Sequence, residues 1–147
     1  MTETTEPSTS ADLRRVELTR TAKGRYRATN KHGTVLEIGS GRDEDFTPVE
    51  LLLVALAGCS ATDVDLITTK RTEPDAFDVR AEGRKVSDDQ GNHLVDLLVT
   101  FEVRYPDGED GDRAREMLPR ALAQTRDRLC TVGRTVAIGE PIGYVEA

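Results

Sequence analysis

The chain has 147 residues, a length that favours one domain with a hydrophobic core that needs no disulfide bonds. Hydrophobic residues make up 37% of it and charged residues 32%, the balance of an ordinary soluble globular protein. Its net charge of -7 argues against nucleic acid or an anionic membrane surface as the main partner.

The first dozen residues have no basic start and no apolar centre. We therefore expect a disordered tail over residues 1–12 rather than a signal peptide, followed by one domain over residues 13–147. With no export signal, the expected location is the reducing cytoplasm, where a disulfide is more often catalytic or sensory than structural.

Three short strands are predicted after the tail, over Leu13–Leu18, Gly24–Asn30 and Gly33–Ile38. Asn30 to Gly33 have the residue types of a hairpin turn between the second and third strands. A polar loop then leads into a helix.

That helix is the most informative stretch of the chain. Thr47 fits the N-cap, Pro48 the first helical position, and Glu50 completes a capping box. All residues of Val49–Ala57 except Glu50 are apolar, which predicts a central helix buried on all sides. The apolar run extends for about fourteen residues, to Asp63, which is too short to cross a bilayer.

Two long strands and a second helix are predicted next. Alternation in Val95–Tyr105, together with the strand Phe77–Val86, predicts an antiparallel sheet with one packed face. The later elements are a helix from Asp110 or Asp112 to about Leu129, a helical turn over Thr131–Val136 and a closing strand over Pro141–Glu146. Pro119 should kink or restart the helix. The order predicts an α+β domain.

The chain has two cysteines, Cys59 in the central helix and Cys130 after the second helix. Cysteine is often simply buried, so packing is the first alternative for each. However, Cys59 lies where the apolar run becomes polar, and a helical turn after Cys130 would direct backbone N–H groups toward its thiol, which favours reactivity. Two thiols are also what a peroxidatic and resolving pair needs. Their spacing alone does not show that they meet.

The segments PVELLLVALAGCSATDV and RLCTVGRTVAIGEPI resemble the osmotically inducible protein C / organic hydroperoxide resistance (OsmC/Ohr) family, in its OsmC-like branch. The resemblance implies an intertwined homodimer in which antiparallel sheets wrap around long buried central helices, with active sites at the subunit interface. It also implies reduction of organic and fatty-acid hydroperoxides. Cys59 would become a sulfenic acid, Cys130 would resolve it to a disulfide, and an external dithiol, a lipoylated protein in some members, would reduce that disulfide. No metal or organic cofactor is implied.

The resemblance further implies a glutamate at the start of the central helix and an arginine from a preceding segment. Glu50 is the matching acid, but it lies one residue closer to Cys59 than expected, and helix geometry puts it half a turn round and about 13 Å away. A capping role for Glu50 therefore stays open. Arg42 is the first candidate for the arginine and Arg25 the second, with a solvated surface role as the alternative for both. Asp63, on the same helical face as Cys59, would raise the pKa of Cys59 if ionised.

His32 and His93 fall in or beside predicted turns, without the short ligand spacing of a zinc site. The leading hypothesis is a cytoplasmic, homodimeric thiol peroxidase for an apolar organic hydroperoxide, with no nucleic acid or membrane partner. Two alternatives stay open. One is a non-catalytic dimer of the same fold that binds an apolar small molecule, with Cys59 an unreactive thiol. The other is a redox sensor whose disulfide changes a partner surface.

Overall fold

A computed structural model describes residues 12–147, so the tail predicted over residues 1–12 lies outside the described residues except for its last one. The elements are β1 Glu17–Ala22, β2 Arg25–Thr29, β3 Val35–Ile38, α1 Pro48–Thr68, β4 Ala76–Asp88, β5 Gly91–Arg104, α2 Glu109–Gln124, a π-helical turn Thr125–Leu129, and α3 Thr131–Ile138. Antiparallel sheets and separate helices confirm the predicted α+β class. The chain divides into two compact units, one ending at Glu50 and one covering Leu51–Ala147. The single domain over residues 13–147 stays a prediction.

The first unit contains a three-stranded antiparallel sheet in the order β1-β2-β3. The predicted hairpin turn is present, because the Asn30 side chain accepts the backbone N–H of His32 at 2.9 Å. The first strand was predicted from Leu13, but it begins at Glu17. Glu17 pairs with Thr29, the last residue of β2, so earlier residues have no partner on that strand.

The helix α1 begins with the predicted capping box. The Thr47 N–H donates to Glu50 Oε1 at 3.0 Å, and the Glu50 N–H donates to Thr47 Oγ1 at 3.2 Å. These two bonds satisfy N–H groups that the first turn of a helix leaves without partners. Glu50 therefore serves as a cap in its own first turn.

The prediction that α1 is buried on all sides is wrong for a single chain. Its buried residues form one stripe at four-residue spacing: Leu56, Ser60, Val64 and Thr68. On the opposite side, Val54 is 51% exposed and Leu66 is 67% exposed. The elements of one chain cover one side of this helix, and its remaining apolar surface needs a further partner to be buried.

The helix α1 continues past Asp63 and comprises 21 residues, with a mean hydropathy of 1.7 over its most apolar 18 residues. Its apolar run ends at Asp63, as the sequence predicts. Among the described residues it is nevertheless one helix that by length and composition alone could cross a membrane. This is weak evidence for a span, because the core helix of a soluble protein can have the same length and hydropathy.

The second unit contains the β4–β5 hairpin, paired along the whole of both strands. The predicted alternation is present near the end of β5, where Val99, Phe101 and Val103 are half-buried between exposed or less apolar neighbours. Phe101 contacts Phe77 of β4 edge to face, with ring centroids 6.1 Å apart. This side of the hairpin is its packed face, as expected.

The strand β5 contains a β-bulge that the alternation did not predict. The register shifts between Glu82 and Arg84 of β4, and β5 contributes one residue more than β4 at that point. Asp96 in this segment has a φ of 54°, in the left-handed region. The bulge ends the alternation, and the adjacent Leu97 and Leu98 are both exposed.

The helix α2 differs from the prediction at both ends. Gly108, with a φ of 112°, takes the N-cap position expected of Asp110 or Asp112, so α2 begins without a capping side chain. The helix continues through Pro119, and the π-helical turn follows it before residue 130. The closing strand over residues 141–146 is wrong, since these exposed residues pair with no strand of the described chain.

Candidate active site

The fold brings Cys59 and Cys130 together, a question that their spacing in the sequence left open. Cys59 is partly exposed on α1, and Cys130 is 2% exposed at the junction of the π-helical turn and α3. Both are free thiols. The side chain of Cys130 forms a hydrogen bond with the side chain of Cys59, and burial and this bond both raise the pKa of Cys59. The two sulfurs therefore belong to one site within the second unit.

The pKa of Cys59 is raised above its ordinary value, and burial is the largest cause. The backbone N–H of Val132 lowers this pKa, the Cys130 side chain raises it, and the backbone N–H of Thr131 lowers it. Cys59 is therefore mainly a thiol at neutral pH, with two N–H donors from the start of α3 placed to stabilise its thiolate. Asp63 is not the cause that the sequence predicted.

Cys130 is the N-cap of α3, the helix that begins as predicted at Thr131. Its sulfur accepts the backbone N–H of Gly133 at 3.2 Å. Ser60 Oγ of α1 lies 3.6 Å from the same sulfur, and it donates its own proton to the Leu56 carbonyl at 2.8 Å. The Ser60 hydroxyl is therefore a donor shared between the Leu56 carbonyl and the Cys130 sulfur.

A cavity of about 590 Å³ lies beside Cys130. Its apolar lining comes from α1, β5 and α2 and includes Leu56, Leu97, Leu98, Phe101 and Leu122. Successive residues of a regular strand face opposite sides, yet Leu97 and Leu98 both line this cavity. The neighbouring bulge explains this, because an extra residue redirects side chains locally. Arg126 and Arg134 also line the cavity, and Arg126 is paired with Asp127 at 2.7 Å.

Catalytic roles for Glu50 and Arg42 stay predictions. Glu50 is occupied by the capping box, and ordinary helix geometry places it about 13 Å along α1 from the cysteine of that helix. Arg42 is exposed in the loop before α1. Arg25, the second candidate, has its guanidinium 3.3 Å from Asp43 and 2.6 Å from Asp45, so two carboxylates neutralise it.

Among the described residues, His93 and a second cavity of the second unit have no cysteine among their contacts. His93 is held in its turn, with Nδ1 3.1 Å from the Gly91 carbonyl and Nε2 3.6 Å from Asp88. Within residues 12–147, no three His, Cys, Asp or Glu side chains gather as metal ligands would. A second cavity of about 470 Å³ is lined by the end of α1 and by α2, with charges of both signs and no cysteine.

Sequence reasoning missed three residues around the thiols: Ser60, Thr125 and Gly133. Gly133 had a usable signal, because it lies at the third helical position after the N-cap cysteine, where an N–H faces the capping atom. A Cβ at Gly133 would lie only 3.2 Å from Cys130 Sγ, so glycine suits this contact. Ser60 and Thr125 meet their partners through tertiary packing, which no local pattern reveals.

Comparison with known proteins gives the family. The profile of a family described as OsmC-like protein matches residues 41–144, a span that includes both cysteines. The chain belongs to the OsmC-like family. Uncharacterized proteins of Mycobacterium tuberculosis and Mycobacterium bovis are each 29% identical over 126 residues, covering 84% of this chain and 88% of theirs.

Solved structures of the OsmC-like fold superpose on this chain. A hypothetical protein from Aquifex aeolicus matches with a TM-score of 0.69 and 20% identity, over 86% of this chain and 89% of its own. An OsmC-like protein from Mycoplasma pneumoniae matches with a TM-score of 0.66 and 14% identity, over 85% and 87%. At these identities the two structures establish a shared fold.

Proposed function

We propose that this OsmC-like protein is a thiol-dependent peroxidase that reduces organic hydroperoxides. The observation that carries the proposal is the meeting of Cys59 with Cys130, the second of which lines a largely apolar cavity. Membership of the OsmC-like family supports the same class of activity.

The proposed reaction starts with the thiolate of Cys59. It attacks the outer oxygen of the hydroperoxide, the O–O bond breaks, and the alcohol leaves after taking up a proton, so that Cys59 becomes a sulfenic acid. The N–H groups of Thr131 and Val132 stabilise the attacking thiolate. The sulfur of Cys130 then attacks that of Cys59, the S–O bond breaks, and water leaves as the disulfide forms.

An external dithiol completes the cycle by thiol–disulfide exchange. A lipoylated protein is one such dithiol, and no metal or organic cofactor is part of the proposal. The substrate has an apolar body, because aliphatic and aromatic residues make up most of the lining of the cavity beside Cys130. An organic hydroperoxide should therefore react faster than hydrogen peroxide.

We further propose that the protein is cytoplasmic and forms a homodimer. Support for the dimer comes from the outer side of α1, where apolar side chains such as Val54 and Leu66 are more than half exposed in one chain. A second copy of α1 would cover this surface, which a soluble monomer rarely leaves open. Oxidative stress from organic peroxides is the condition that such an enzyme would meet.

A second candidate function is supported by the raised pKa of Cys59. A thiol kept protonated by burial is a weak nucleophile, which suits a non-catalytic dimer that binds an apolar small molecule in the same cavity. The redox-sensor alternative would form the same disulfide once but would not turn over with a dithiol.

The test is the oxidation of the two thiols in the purified full chain. The protein is treated with one equivalent of cumene hydroperoxide, with hydrogen peroxide in parallel, and the remaining thiols are counted by maleimide labelling and intact mass. Loss of both thiols within one chain, faster with the organic peroxide and absent in Cys59→Ser, supports the peroxidase. Turnover with dihydrolipoamide separates it from the sensor. Two unreacted thiols after several minutes would favour the ligand-binding candidate.

A further inference from the structure

A buried hydrogen bond joins α1 to the segment that carries Cys130. Thr125 is 4% exposed, and its hydroxyl donates to Asp63 Oδ2 at 2.8 Å. Asp63 lies one helical turn after Cys59 on the same face of α1. The Asp63 carboxylate thus binds the segment of residues 125–130. From the sequence, its expected effect was to raise the pKa of Cys59.

Thr125 is also bonded directly to Cys130. Its carbonyl accepts the Cys130 backbone N–H at 3.1 Å, the bond that closes the π-helical turn. Single π-helical turns often occur at functional sites, since the residue that they insert changes the direction of the chain after the turn. The side chain of Thr125 therefore binds α1 while its backbone fixes the residue that presents the second thiol.

The contacts follow one another along the two segments. Asp63 meets Thr125, and one turn earlier on α1 both Ser60 and Cys59 meet Cys130. The Asp63–Thr125 bond thus sets the register between the segments at one end, and the two thiols face each other at the other end.

We propose that Asp63 and Thr125 are positioning residues for disulfide formation between Cys59 and Cys130. The inference rests on the proposed function in one respect, that the disulfide is the second step of peroxide reduction. In that step the S–S bond forms, the S–O bond of the Cys59 sulfenic acid breaks, and hydroxide leaves as water with the proton of Cys130. The first step forms no bond to the Cys130 sulfur, so loss of the Thr125–Asp63 hydrogen bond should slow the second step more than the first.

The experiment compares two variants of Thr125. Thr125→Val keeps the shape of the side chain and removes the hydroxyl, and Thr125→Ser keeps the hydroxyl and removes the methyl group. Thr62→Val is the matched control, because Thr62 is an exposed threonine of α1 whose hydroxyl bonds only the Gly58 carbonyl of its own helix. Each full-length protein receives one equivalent of cumene hydroperoxide. Peroxide consumption reports the first step, and maleimide counting on quenched samples reports the second.

We expect the first step to stay within about twofold of wild type in every variant. Disulfide formation should slow by about tenfold in Thr125→Val, the loss expected for a hydrogen bond to a charged group, and should recover in Thr125→Ser. Asp63→Asn keeps an acceptor for the hydroxyl but removes the charge, so its rate of disulfide formation should lie between those of Thr125→Val and wild type. An unchanged disulfide rate in Thr125→Val would overturn the inference, and so would equal slowing of both steps, which indicates a general structural role.

Diamide distinguishes this inference from the proposed function, because it oxidises two thiols to a disulfide without any peroxide and is itself reduced to the hydrazine. If peroxide leaves the wild type unreacted but diamide closes the disulfide more slowly in Thr125→Val than in Thr125→Ser, the peroxidase is refuted and the positioning role stands. If diamide closes it equally fast in both, the positioning role is refuted whatever peroxide does. A wild type that neither oxidant closes refutes both.

Discussion

Truncating Leu66 on the outer side of α1 should weaken self-association of the protein. Leu66 is 67% exposed in one chain, whereas Val64, two residues earlier, is fully buried. Complete burial of a leucine side chain contributes about 2 kcal/mol, so covering the exposed two-thirds of Leu66 contributes about 1.3 kcal/mol. In a two-fold symmetric dimer the change occurs twice. Leu66→Ala should therefore cost about 3 kcal/mol, an increase in Kd on the order of a hundredfold.

Sedimentation velocity over a range of protein concentrations measures this change. Ile142→Ala is the control, since it truncates another highly exposed aliphatic side chain, 74% exposed, outside α1. A wild type that stays monomeric at every concentration would refute the homodimer. A Kd that is the same for Leu66→Ala and wild type would show that the outer side of α1 is not the interface.

Three further predictions concern single residues. Because the pKa of Cys59 is raised, its alkylation by iodoacetamide should keep accelerating above the pH at which an ordinary thiol levels off. Cys130→Ala removes one cause of the raised pKa and should move this pH profile of alkylation to lower pH, and an unmoved profile would contradict the contact between the cysteines. The raised pKa also stabilises the fold below the unfolded-state pKa, and this contribution is lost as pH increases through the folded-state pKa. Asp96→Gly should raise the free energy of unfolding in urea by about 1 kcal/mol, because glycine adopts a φ of 54° without strain and the exposed ion pair with Arg84 contributes little. Asp96→Val should lower the free energy of unfolding. A destabilised glycine variant would refute the role of strain at this position. Glu50→Ala should lower the thermal midpoint through loss of about 1 kcal/mol of capping, while Glu50→Gln keeps the capping box; a glutamine variant of full stability that oxidises slowly would assign Glu50 a catalytic role.

Local chemistry explains what the sequence predicted well. Thr47 and Glu50 lie three residues apart, and a capping box depends only on that spacing and on the two residue types. The alternation around Phe101 was equally reliable, because a strand with one packed face repeats every two residues. The position of Cys130 before a short helix followed from the turn-forming and helical residues on either side of it.

The errors arise where the deciding partner lies far along the chain or outside it. The burial of α1 depends on whatever covers Val54 and Leu66, which residues 12–147 of one chain leave exposed. The bulge at Asp96 depends on pairing with β4, where Gly83 leaves room beside Leu97. Asp63 was interpreted from its distance to Cys59 along one helix, but tertiary packing supplies a different partner for its carboxylate.

The surroundings of the cysteines are more polar and more directional than simple packing requires. A cysteine that only fills an apolar core needs a fitting volume and no polar neighbours. Here Cys130 accepts an N–H from α3 and lies beside a serine hydroxyl, while its backbone is fixed by a threonine that is bonded to a carboxylate of α1. Such groups are costly to bury and are directional, so they fix where a sulfur lies rather than only how much space it fills.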